Sequence, residues 1–214
     1  MTTVPIPTRA VPRTRGLNTS LTSRSERGRA WLVGLGALAA IGGFIFLLTA
    51  PVQALLGESA WALTSALHGL SAGVLMIGVT VGVFQAYRLY RGGELRIGEM
   101  QIGSLVTTLA AAATIFYGNW IYIAYRASGP GSPRTYFLEN NPAIHQVFFE
   151  FKEFIALFTL PLSVAAAFVI WREGEGLRSR TTLREAVAVV LALSWLYLML
   201  AFGLGAAITK LRGV

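Results

Sequence analysis

The sequence predicts an all-α integral membrane helical bundle, with five transmembrane helices behind a disordered basic N-terminal tail. Hydrophobic residues make up 54% of the 214 positions and charged residues only 13%, whereas soluble domains carry about 25% charged residues. Mean hydropathy is +0.59. The apolar residues gather into segments at or beyond the roughly 20 residues that cross a hydrocarbon core, and arginines gather between them.

The formal charge of +8 is spread over segment ends, as topology signals are, and not along one stripe. Nucleic acid is therefore not an expected partner; the lipid bilayer is. The chain has no cysteine, which excludes disulfides, thiolate metal sites, iron–sulfur clusters and covalently attached haem.

Residues 1–29 contain Pro5, Pro7 and Pro12, many Ser and Thr, and Arg9, Arg13, Arg15, Arg24, Arg27 and Arg29 against the single acid Glu26. Such a composition cannot bury a core, so it reads as a disordered cytoplasmic tail. The apolar segment 30–56 is longer than the roughly 7 to 15 apolar residues of a secretory signal and lacks a clear cleavage site, which makes it a retained first span. Segments 60–90, 102–125, 143–171 and 183–209 give the other four, so that 30–214 is one transmembrane domain. Pro51 and the glycines Gly34, Gly36, Gly42 and Gly43 are positioned to kink the first span, and such residues are tolerated in membrane helices.

Arginine placement orients the bundle. The tail, the loop 88–96 and the loop 172–184 are rich in arginine and fall on one side, whereas 51–59 has no basic residue and 126–142 carries only Arg126 and Arg134. The positive-inside rule then puts the N-terminus in the cytoplasm, in a bacterial cytoplasmic membrane. Tyr117, Trp120, Tyr122 and Tyr125 at the outer end of span three suit an interfacial aromatic belt. Gly69 with Gly73, and Gly78 with Gly82, would let another backbone approach span two.

The candidate site comes from ionisable residues inside these spans, which are costly in hydrocarbon and mark function by default. His68 lies about 12 Å along span two at 1.5 Å per residue, and His145 opens span four. Both belong to the outer half of the bilayer. Two imidazoles on different helices are the metal-ligand set of a b-type haem, His68 and His145 holding the iron from opposite faces. Arg126, Arg134 and Lys152 are cations suited to its propionates. Helical spacing aligns His145, Phe149, Lys152, Ala156 and Thr159 on one face. Against this, His145 sits about 10 Å shallower than His68.

In broad layout, a small multi-span chain with few histidines facing a bundle core resembles the membrane-bound b-type cytochromes, which pass electrons between quinones and partner proteins. The resemblance implies an electron-transfer subunit of an oxidoreductase complex, with at most one haem b because the further paired histidines of two-haem members are absent. A second expectation uses depth: Glu150, Lys152 and Glu153 lie near the level of His68 and would form a proton or ion pathway, or a quinone niche. A third is a non-catalytic accessory subunit docking on other membrane subunits. Soluble-enzyme motifs are missing: there is no P-loop and no metalloprotease helix, and without aspartate there is no Ser-His-Asp triad.

Overall fold

A computed structural model describes residues 32, 35–36, 38–56, 59–127, 129 and 131–211. Two compact units are present, Met1–Gly43 and Phe44–Val214. In the first, the described residues 32, 35–36 and 38–43 are helical, and the expected disordered tail lies outside the described residues.

The second unit is helical throughout its long elements, and no strand occurs among the described residues. After a turn at 47–49 come α1 (Ala50–Leu56), α2 (Ala60–Tyr90), α3 (Ile97–Tyr125) and the short α4 (Pro133–Asn140). A π-helical turn, Ile144–Phe149, then runs directly into α5 (Glu150–Leu157) and α6 (Thr159–Glu173). A 3₁₀ turn, Gly174–Ser179, leads to α7 (Thr181–Leu211). Among the described residues, four helical stretches are long and apolar enough to cross a membrane: Trp61–Tyr90, Ile97–Tyr125, Ile144–Ser179 and Thr181–Leu211. The remaining expected span, 30–56, falls partly outside the described residues, and its described part is interrupted by the turn just before Pro51. A proline there cannot continue the ladder of the preceding helix.

Local chemistry sets the boundaries. Ser59 caps α2, its Oγ accepting from the Ala62 amide at 3.1 Å, and Ser132 caps α4 by accepting from Thr135 N at 3.2 Å. Pro133 follows Ser132 at the start of α4, where its missing N–H costs nothing. The break between α5 and α6 falls at Phe158, three residues before Pro161, because proline lacks an amide donor and its ring crowds the preceding turn. α3 starts at Ile97, earlier than the apolar pattern suggested, since Ile97 and Met100 are buried in the bundle.

The four long elements form a ring in which α2 touches α3 and α7, and α6 touches α3 and α7. Three apolar clusters fill it. Leu89, Ile97, Met100, Ile170 and Leu177 pack at the end nearest the arginine-rich loops, and Leu75, Val79, Ala111 and Leu198 fill the middle. At the opposite end the cluster is aromatic: Tyr125, Phe137 and Phe149 with Ile208. Of the span-two glycines, Gly78 and Gly82 do admit neighbours. A methyl group at 78 would collide with Thr107 Oγ1, and one at 82 would touch Leu191, while Gly69 and Gly73 face open space.

Candidate functional site

Two polar assemblies occupy the aromatic end of the bundle. The first is a cluster around Glu150. Arg126 Nη2 donates to Glu150 Oε1 at 2.9 Å, and the Tyr122 hydroxyl lies 3.5 Å from the same oxygen. His145 Nε2 stands 3.6 Å from it. The Arg126 guanidinium also covers the Tyr122 ring at 4.6 Å. Partial desolvation opposes the Arg126 charge, but its hydrogen bond to Glu150 and the carboxylate's attraction outweigh this and hold the guanidinium above its ordinary pKa.

The π turn explains why His145 meets Glu150. Glu150 N–H donates to His145 O, a five-residue step, so the extra residue per turn brings side chains at i and i+5 closer than an α-helix would. Turns of this kind are frequent at functional sites. The expected alignment of His145 with Lys152 presumed α-helical spacing throughout; the π turn shifts that register. His145 is 4% exposed and held on both nitrogens, Tyr125 Oη lying 3.0 Å from Nδ1 and Arg134 Nε donating to Nε2 at 3.3 Å. An Nε2 that accepts carries no proton, so the neutral ring keeps its proton on Nδ1 and donates it to Tyr125.

The second assembly is a cavity of about 550 Å³ between α2, α3, α5 and α7, whose ionisable lining includes His68, Lys152 and Glu153. His68 Nδ1 lies 2.9 Å from Thr114 O. A carbonyl only accepts, so Nδ1 bears the hydrogen and Nε2 is left as an acceptor. Gly118 makes this pose possible: a Cβ there would stand 3.0 Å from His68 Cε1. Lys152 Nζ lies 5.3 Å from the Phe149 ring centre, and no carboxylate among the described residues is within ion-pair distance of it. Tyr122, Tyr125 and Phe149 form an aromatic wall of the cavity. Tyr125 and Phe149 are parallel, with centroids 4.2 Å apart and 2° between planes.

A comparison with protein-family models, curated proteins and solved structures finds no match to this chain.

The sequence-derived residues thus divide. His68, Lys152 and Glu153 share the cavity, whereas His145, Arg126, Arg134 and Glu150 belong to the neighbouring cluster. A haem held between His68 and His145 Nε2 would require His145 to give up its bond from Arg134. Of the three cations expected to face propionates, Arg126 is paired with Glu150 and Arg134 with His145. No group of three or more metal-ligating side chains occurs among the described residues. Tyr122 and Tyr125, expected as an interfacial belt, instead connect the two assemblies. Their contribution had no signal beyond their position, one and four residues before Arg126.

Proposed function

We propose that the protein is an integral membrane subunit whose working part is a proton-accessible cavity inside the bilayer. Protons enter at the membrane face where α3 ends, through Glu150 and the Tyr122 hydroxyl, and reach Glu153 and His68. The observation that carries this reading is the double position of Tyr122: its hydroxyl lies 3.5 Å from Glu150 Oε1, while the residue lines the cavity shared by His68, Lys152 and Glu153. Glu150 is half-exposed, its side chain at 43%, so it can exchange with water. Toward the opposite end a cavity of about 210 Å³ is lined by Gln85, Ser104, Thr107 and Ser163 but by no ionisable side chain, which makes the proposed path a half-channel that serves a site and does not cross the membrane. The finer topology belongs to the same proposal: five spans, with the N-terminus and the arginine-rich loops on the cytoplasmic side of a bacterial membrane.

The test is the rate at which Glu153 changes protonation after a pH step, followed by infrared spectroscopy of lipid-reconstituted protein and assigned by loss of the band in Glu153→Gln. Glu150→Gln and Tyr122→Phe are expected to slow the wild-type response. Equal rates in all three proteins would remove the route.

A further inference from the structure

We infer that the cavity binds the head group of a lipid-soluble quinone or quinol, a flat ring with opposed oxygens and an apolar tail. The inference rests on the cavity being the working site, but not on the route by which protons reach it.

Four properties of the cavity select this class. Its volume, about 550 Å³, lies within the roughly 300 to 1,000 Å³ of small-molecule sites. Leu157 and Phe202 line it and are themselves 52% and 45% exposed, so it opens on the apolar flank of the bundle, where a hydrocarbon tail would lie in lipid. Its lining includes the aromatic residues Tyr122 and Phe149, whose rings lie 5.7 Å apart between centroids, and an aromatic lining suits a ring-shaped ligand.

The polar groups supply the discrimination. His68 Nε2 is an acceptor without a protein partner among the described residues, because Nδ1 takes Thr114 O. The Lys152 ammonium has three donors and no acceptor; its Cε packs 3.6 Å from where a Gly205 Cβ would stand, its Nζ lies 5.3 Å from the Phe149 ring centre, and it has no ion-pair partner among the described residues. A ligand must therefore accept from one residue and, in its reduced form, donate to the other. A quinone carbonyl accepts from Lys152, and a quinol hydroxyl donates to His68 Nε2. A fatty-acid carboxylate would satisfy Lys152 or Lys210 but would meet a lone pair at His68 and a carboxyl at Glu153.

The experiment is a titration of the purified full chain in lipid nanodiscs with a decyl-tailed benzoquinone and its quinol, reading bound ligand by equilibrium partition against empty nanodiscs. Saturable binding is expected. Loss of a charge-assisted hydrogen bond weakens it about tenfold or more in Lys152→Met, with recovery in Lys152→Arg. His68→Phe should weaken the quinol more than the quinone. Partition no greater than into empty nanodiscs, unchanged affinity in Lys152→Met, or tighter competitive binding of oleate would overturn the inference. So would a His68-dependent haem spectrum on titration with hemin. Quinone binding without a route-dependent Glu153 response would leave the inference standing and remove the proton route; the reverse result would retain only the route.

Discussion

Glu150 gathers side chains from three places: Arg126 just past α3, Tyr122 one turn earlier, and His145 in the π turn. The Arg126 pair is half-exposed, so water screens it and it adds little to stability. Glu150→Gln is therefore expected to leave the melting temperature in detergent nearly unchanged while slowing Glu153 protonation, which separates function from stability in one variant. Gly118→Ala should do the opposite kind of damage. Its methyl group would press on His68 Cε1 and Nδ1, costing about 1 to 3 kcal/mol as overpacking, and faster solvent exchange of the His68 ring N–H by NMR would report the lost bond to Thr114. At this scale the sequence was informative about His68, Lys152 and Glu153, because a charge in an apolar run is visible in one dimension. The partner of Arg134 was not visible, since it depends on a loop folding back. The inward role of Tyr122 was equally hidden, because aromatic residues near a span end have the same pattern whether they face lipid or protein.

The π turn and α4 together build the pocket that holds His145. Their sequences gave little warning: Ile144–Phe149 is as compatible with an α-helix as with a π turn, and α4 is only 8 residues long within a segment of loop composition. Deleting the exposed Gln146 should restore α-helical spacing and leave His145 four residues before Glu150, still on the same helix face. Circular dichroism would then show retained helix, and the His145 ring ¹⁵N shifts should keep the signature of an Nε2 that accepts from Arg134; loss of that signature would mean that the π turn does not set the register. Ser132→Ala should cost about 1 kcal/mol through loss of the cap on α4, seen as increased amide exchange over Pro133–Asn140. The long helices, by contrast, were legible to within a few residues at most ends, because hydropathy over a span is a strong signal. The Phe158 break was legible only in retrospect through Pro161.

At the scale of the whole unit Phe44–Val214, an apolar end is joined to one that carries the ionisable residues, and that asymmetry gives the proton route its direction. All-helical architecture and four membrane-length helices follow from composition and apolar runs, whereas the separation of the two histidines into different assemblies depends on helix rotation, which neither depth nor composition encodes. Because the chain lacks cysteine, single cysteines report topology cleanly. With five spans, Ser23→Cys and Gly176→Cys should react with an impermeant maleimide from the same side of sealed vesicles, and Gly131→Cys from the other; reaction of Ser23→Cys and Gly131→Cys from the same side would mean that residues 30–56 do not cross. The sidedness of proton access tests the central claim most directly. In proteoliposomes of uniform orientation, a pH step on the face bearing Arg126 should shift the Glu153 infrared signal promptly, and the same step on the face bearing Gly176 should leave it unchanged. A response from the Gly176 face alone, or from neither face, would contradict the account.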